Sequence, residues 1–382
     1  LHPRVRRQRQ MCIRDRYWLC NLSGIGNKRI KRLLDVFKSP KAVFYAAPEA
    51  LHGCTGLTQQ NIETIMKNRN MEKVYKSFTQ LQHKGISFIY KEGKQYPQNL
   101  LQLYDMPYGL YSKGQLLRAD EPAVAMVGAR GCSGYGRSVA YSFAKAFAQL
   151  GITVVSGMAS GIDTAAHEGC IAGGGRTVAV LGNGVDICYP RENIRLYMQI
   201  QEKGTILSEY PPGTVPAAGR FPVRNRIISG ISDAVIVVEA RKRSGSLITA
   251  DAALEQNRDV YVVPGNIGQP LSEGCNELIK QGAIVITKPE DIFQTKALKD
   301  KIFMNKTVGK GEEKEKIQKK FLATPKDMVY SCFDLYPKSL DELLAETGLE
   351  IADLNQMILE MQLEGLITEI SKNCYARNDL EI

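Results

Sequence analysis

The chain has 382 residues, 44% of them hydrophobic and 24% charged, with a formal net charge of +10. That length exceeds one ordinary core and points to two or three domains. No run of 18 apolar residues marks a membrane span, and the basic amino-terminal stretch is not followed by the apolar segment of a secretory signal. The nine cysteines are scattered and odd in number, and no two form a C-x-x-C pair. This argues against a disulfide framework and a zinc site, leads us to expect no metal, and suits a reducing cytoplasm.

Residues 1–16 contain six arginines and one aspartate, so half of the net charge sits there. This leader has no helical or strand period and little to bury, and it reads as a disordered segment. Residues 17–80 read as a small helical domain. Ile30, Leu33, Leu34 and Phe37 recur at helical spacing after the turn Leu22-Ser23-Gly24-Ile25-Gly26. A second turn, Gly53-Cys54-Thr55-Gly56-Leu57, precedes another helix near Ile62 and Ile65. Two such glycine turns resemble SAM or helix-hairpin-helix modules, in which turn amides can face a phosphate. A helical packing module with no nucleic-acid contact explains the same glycines.

Over residues 81–294 the period changes to strand, glycine turn and helix, repeated. Apolar runs at 123–127, 152–155, 177–181, 205–207, 234–238, 260–263 and 283–286 alternate with amphipathic stretches. Buried parallel strands separated by helices predict an α/β, Rossmann-like doubly wound sheet. Ligands of such sheets sit at the carboxyl ends of the strands. Residues 295–324 carry nine lysines and read as a solvated linker. Residues 325–382 pattern as helices followed by a hairpin, a winged helix.

Three loops carry the chemistry. In the first, Gly128, Gly131, Gly134 and Gly136 allow close backbone approach at a helix start, and Arg130 adds a forked donor, which predicts an anion site. The spacing is not G-x-G-x-x-G, and the second strand ends in Ser156-Gly157 without the acid that would hold a ribose, so NAD is not expected. Gly131 to Ser138 reads G-x-x-x-x-G-R-S and lacks the P-loop lysine, so neither ATP nor any other cofactor is expected.

The second loop, Ser156 to Asp163, again places glycines (Gly157, Gly161) before a helix. Asp163 and His167 are one turn apart, but no nucleophile accompanies them, and a packing hydrogen bond is the expected role. The third is Gly219 to Arg226, read as an arginine-rich loop because the prolines from Pro211 to Pro216 forbid a long helix. Its arginines flank Phe221 and Asn225, combining base stacking with backbone tracking as single-strand binders do. Arg241-Lys242-Arg243 adds charge ahead of a capped helix start at Ser244-Gly245.

In order along the chain stand V-G-A-R from Val127, S-G-M-A-S-G-I-D from Ser156, Y-P-R-E-N from Tyr189, S-E-Y-P-P-G from Ser208, F-P-V-R-N-R from Phe221, S-G-S-L-I-T-A from Ser244 and V-P-G from Val263. This series resembles the DNA-processing A (DprA/Smf) family over about residues 93–291. The resemblance implies an extended Rossmann fold that dimerises, binds single-stranded DNA entering during natural transformation, and helps load the RecA recombinase, without catalysis. It implies DNA contacts at Arg130, Ser156, Gly157, Phe221, Arg224 and Arg226. To these the residue reading adds Gly128, Gly134, Gly136, Gly161, Asn225, Lys242, Arg243, Ser244 and Gly245.

The rival enzyme reading is a nucleotide-processing Rossmann protein of the LOG/phosphoribohydrolase type. Its P-G-G-x-G-T-x-x-E signature is matched here by S-G-S-L-I-T-A-D, which lacks the glutamate. A helix-turn-helix repressor fits poorly too. Between Ser339 and Ser371 there are eight acidic residues and no lysine or arginine, so this tail is expected to meet protein and not a DNA groove, or simply to pack.

Overall fold

A computed structural model describes residues 13–118, 121–308, 326, 329–330, 332, 338–364, 366–371 and 373–377. Residues 1–12 of the leader and 309–324 of the expected linker lie outside the described residues.

Helix α1 (residues 13–20) begins inside the stretch read as a disordered leader. Its Tyr17, Trp18 and Leu19 are buried. Arg16 pairs with Glu92 at 2.6 Å, and the Arg14 guanidinium lies 4.3 Å from the centre of the Tyr75 ring. The buried cluster at 17–19 anchors the whole helix, so residues 13–16 are ordered by their apolar neighbours in the chain. Helices α2 (Asn27–Phe37), α3 (Pro40–Tyr45), α4 (Pro48–His52), α5 (Gln59–Lys67) and α6 (Met71–His83) complete the module. Both glycine turns need a left-handed residue, Gly24 at φ 74° and Gly56 at φ 84°. Arg29 clasps them together, donating to Gly24 O at 3.1 Å and Gly56 O at 3.3 Å.

This module shares its core with the sheet. The Tyr17 ring meets Phe78, Phe88 and Tyr111 edge-on, and Tyr111 Oη donates to Asn21 Oδ1 at 2.8 Å. The helices and the sheet form one compact unit up to Lys306.

The sheet has nine strands: β1 (Ile86–Tyr90), β2 (Gly109–Gly114), β3 (Ala123–Val127), β4 (Thr153–Ser156), β5 (Thr177–Leu181), β6 (Thr205–Ser208), β7 (Ala234–Val237), β8 (Asp259–Val262) and β9 (Ile284–Val285). Their spatial order is β1-β2-β6-β5-β4-β3-β7-β8-β9. The pairs β1/β2 and β2/β6 are antiparallel, and every other neighbouring pair is parallel.

The intervening helices are α7 (Gly134–Gln149), α8 (Ile162–Ala172), α9 (Ile194–Lys203), α10 (Arg220–Gly230), α11 (Gly245–Glu255) and α12 (Glu273–Lys280). The continuous apolar run of β3 is explained by cover on both faces. Val124 and Met126 pack with Phe143 and Phe147 of α7, while Ala125 and Val127 share the other core with Ile227 and Ile228 of α10.

The reading of 295–324 as a linker is corrected at its start. Helix α13 (Lys296–Val308) buries Leu298 and Ile302 in the sheet's core, and Lys301 pairs with the buried Asp233 at 2.7 Å. Its lysines marked a solvated surface, but two apolar residues four apart were enough to dock the opposite side.

A second unit holds α14 (Leu340–Thr347), α15 (Ile351–Leu363) and the strands β10 (Lys338–Ser339), β11 (Ile367–Ser371) and β12 (Cys374–Arg377) in the order β10-β12-β11. Ser339 and Glu342 form a capping box at the start of α14, and Gly348 ends it in the left-handed region. Leu343, Leu354, Ile358, Met361, Ile367 and Tyr375 form its own core. This is the expected winged helix.

Candidate nucleic-acid interface

Strand order reverses between β3 and β7, since β4, β5 and β6 lie to one side of β3 and β7, β8 and β9 to the other. At such a point the loops leaving the two strands diverge and open a crevice. Here it is a cleft of about 610 Å³. One wall is the loop after β3, from Gly128 to Gly131. Another is the first turns of α10, with Phe221, Arg224, Asn225 and Ile228, and the third is the loop after β7 running into α11, with Arg241, Arg243, Ser244 and Gly245.

Arg130, Arg241 and Arg243 are exposed, and among the described residues none of them pairs with a carboxylate. Phe221 forms the floor between them. It stacks on Tyr189 with ring centres 5.5 Å apart and planes at 23°, and the Arg130 guanidinium lies 5.6 Å from its ring centre. The Phe221 ring fits because residue 182 is glycine, where a Cβ would come within 2.8 Å of it.

The glycine loops play a different part from the one their sequence suggested. At the amino end of α7 the anion is the protein's own. Glu239 accepts from Ser133 N at 2.8 Å and from Ser133 Oγ at 2.5 Å, while Ser133 Oγ caps Gly136 N at 3.0 Å. A Cβ on residue 136 would stand 2.5 Å from Glu239 Oε2. Gly136 therefore frames an internal carboxylate, and neither it nor the exposed Gly134 lines the cleft.

In the second loop, Gly157 N and Ala159 N both donate to Asp163 Oδ2, at 3.0 and 3.2 Å, and buried Ser156 Oγ donates to Met126 O at 2.6 Å. Gly161 holds φ 82° against the backbone of Ala129 and Arg130. The polar groups of Ser156 and Gly157 are thus engaged within the protein, and Gly161 is fixed by its positive φ and its contact with the preceding loop.

The expected arginine-rich loop is instead the helix α10. The prolines at 211 and 216 lie ahead of it, and Pro222 falls in its first turn, where no intrahelical amide is needed. Helical geometry sorts the arginines. Residues 221, 224, 225 and 228 share the face toward the cleft, at i, i+3, i+4 and i+7. Arg226 points elsewhere and pairs with Glu209 at 2.7 Å and Asp105 at 3.7 Å. It is not a cleft residue.

Arg224 lines the cleft wall but is buried at 5% exposure, donating to Gly157 O at 2.7 Å and to Val180 O. Burial lowers its pKa to about 10, with Asp163 opposing that shift. Burial also raises the Asp163 carboxyl, while Arg224 and the loop amides pull it back down. His167 is neutral: its Nδ1 is 2.6 Å from Thr177 Oγ1, and burial together with the Arg224 charge pushes its pKa down to about 3. Asp163 and His167 thus hydrogen-bond to different partners and form no acid–base pair.

The start of α11 is open to the cleft. Ser244 caps it, accepting from Ser246 N at 3.3 Å, and Asn225 Nδ2 donates to Gly245 O at 3.3 Å, tying α10 to α11. In the turn ahead of the cap, Arg241 and Arg243 line the cleft and the exposed Lys242 between them does not. Tyr189 is not among the site residues expected from the sequence, and Arg241, expected only as added charge beside the helix start, lines the cleft itself. The aromatic beside Pro190 and the alternation within R-K-R were the available signals. Among the described residues no His, Cys, Asp or Glu cluster could hold a metal, and no helix is long and apolar enough to cross a membrane.

Comparison with known proteins agrees with this architecture. A family model described as DNA recombination-mediator protein A matches residues 87–297, and one described as the DprA winged helix domain matches residues 320–371. Protein Smf of Synechocystis sp. is 33% identical over 382 aligned residues, spanning 92% of this chain and 96% of that protein. The DNA processing protein DprA of Streptococcus pneumoniae is 47% identical over 52% of this chain and 70% of its own length. The X-ray structure of DprA from that organism superposes with a TM-score of 0.65 at 35% identity, covering 74% of this chain and 97% of that one. A Helicobacter pylori DprA structure, described as giving insights into a unique single-stranded DNA binding mode, superposes with a TM-score of 0.51 at 31% identity over 56% and 96% of the two chains. A doubly wound sheet with an antiparallel extension, a winged helix carried after it, and these matches over most of the chain place the protein in the DprA/Smf family of DNA-processing proteins.

Proposed function

We propose that the chain binds single-stranded DNA in the cleft between β3 and β7, without catalysing a reaction on it, and as a cytoplasmic homodimer delivers that strand to the RecA recombinase during natural transformation. The observation that carries the binding step is the group of three exposed guanidiniums, Arg130, Arg241 and Arg243, with no carboxylate partner among the described residues, around the stacked Phe221–Tyr189 pair. Unpaired bases offer faces that a duplex hides, and the cations follow the phosphates. The open start of α11 adds backbone dipole of the favourable sign. Support for the recombination step is the family description and the single-strand-binding relative.

Fluorescence titration of oligothymidine and of duplex DNA at two salt concentrations tests the binding step. The expected result is a preference for the single strand with a steep salt dependence. Arg130→Ala/Arg241→Ala/Arg243→Ala should lower that slope by about 2, near 0.7 per lost phosphate contact. Equal affinity for duplex, or a triple variant that binds like the parent, would overturn the reading. The recombination step is tested separately, by RecA nucleation on single strands precoated with a single-strand-binding protein. The parent should speed nucleation and the triple variant should not.

A further inference from the structure

The amino-terminal module carries a second basic surface that the first cleft does not use. Ile30 and Leu33 of α2 turn inward and are buried. Helical spacing then places Lys28, Lys31 and Arg32 on the outer side, where all three are exposed. A groove of about 350 Å³ runs past Lys28, Arg29 and Arg32. It shares Gly26 and Asn27 with a cleft of about 600 Å³ that extends to Tyr210 and Arg220 at the start of α10. Arg220 is the neighbour of Phe221 in the first cleft, and its guanidinium lies 5.2 Å from the Tyr210 ring centre.

The three depressions therefore follow one another within a single compact unit. Three carboxylates border the path: two are already partnered, and the third, the exposed Asp35 of α2, stands one turn from Lys31 and offsets part of the positive charge there. Glu209 pairs with Arg226 at 2.7 Å and accepts from Asn27 Nδ2 at 2.6 Å, and Asp105 lies 3.7 Å from Arg226 Nε. Beyond the groove, Lys28 Nζ sits 5.2 Å from the ring centre of Tyr104, which is 82% exposed. A cation and an open aromatic face side by side are the elements of a single-strand platform.

We propose that a single strand seated in the first cleft continues past Arg220 and Tyr210 onto the outer side of α2, where Lys28, Lys31 and Arg32 meet its phosphates and Tyr104 stacks a base. This rests on the single-strand reading of the first cleft. It is the side-chain cations and the ring, not the helix end, that make the surface.

Oligothymidines of about 6 and about 20 nucleotides, within and beyond the span of one such site, separate the two surfaces. Lys28→Gln/Lys31→Gln/Arg32→Gln, in the full chain with Arg29 retained to hold the turns, should bind the short oligomer like the parent. It should bind the long one about tenfold more weakly, with a salt slope lower by about 2. Tyr104→Ala should weaken only the long oligomer, and Lys28→Arg/Lys31→Arg should behave as the parent, so a misfolded triple variant leaves two informative ones. If the long oligomer binds the Gln and Ala variants with parental affinity and slope while Arg130 still matters, the α2 surface is no part of the track. If the parent binds neither oligomer, both readings fail together.

Discussion

Two arginines on the helix that carries Phe221 illustrate how little a residue's type says about its task. Arg224 is buried and donates to two carbonyls, and Arg226 pairs with Glu209 and Asp105. Arg224→Ala is expected to cost about 2–4 kcal/mol of stability, because it takes a buried donor from the Gly157 and Val180 carbonyls and removes the cation that favours the Asp163 carboxylate. Loss of DNA binding in that variant would report on the fold. Urea denaturation separates the cases: Arg241→Ala and Arg243→Ala should stay within about 0.5 kcal/mol of the parent while weakening the single strand.

His167 offers a further test at this scale. Its folded pKa, about 3, lies below the unfolded 6.5. Between those values the unfolded chain binds the extra proton, so stability is full above about pH 6.5 and falls as the pH drops toward 3. The raised Asp163 carboxyl gives the opposite slope just above its usual value. Urea midpoints at pH 7 and pH 5 for the parent and His167→Gln isolate the histidine: the parent should lose more stability on acidification than the variant.

At the level of elements, the strands of the parallel sheet were legible because each is a short apolar run buried on both faces. The antiparallel pair β1 and β2 was not, since Ser87 and Lys113 interrupt its apolar pattern and a long connection separates the two strands. The helix α10 was concealed by its prolines, which mark the approach and first turn and do not break the interior. Glycine loops were visible as loops, but whether their amides face a ligand or an internal carboxylate depends on Glu239 and Asp163, and Glu239 is distant in sequence from the loop it caps. Gly161→Ala should therefore destabilise by about 2 kcal/mol or more, from a positive φ and a backbone clash, with a lowered thermal midpoint even when no DNA is present.

For the molecule as a whole, the sequence indicated a helical module, a doubly wound sheet and a winged helix. The shared core around Tyr17 was hidden because its partners Phe78, Phe88 and Tyr111 are scattered along the chain. The winged unit has its own core, and α14 and α15 carry acids without a lysine or arginine. Truncation after residue 308 is expected to leave oligothymidine affinity unchanged within about twofold, since every cation assigned to the cleft lies before that residue. An electrophoretic shift that requires the winged unit would contradict this.

The carboxylate of Glu239, lodged at the start of α7, occupies the seat where other sheets of this kind grip a mononucleotide's phosphate. Abundant small metabolites such as ATP then find that seat taken, and millimolar amounts of them should compete poorly with a polymer that gains from many contacts at once. Under the proposed function, a resident acid of this kind favours long strands over their own building blocks.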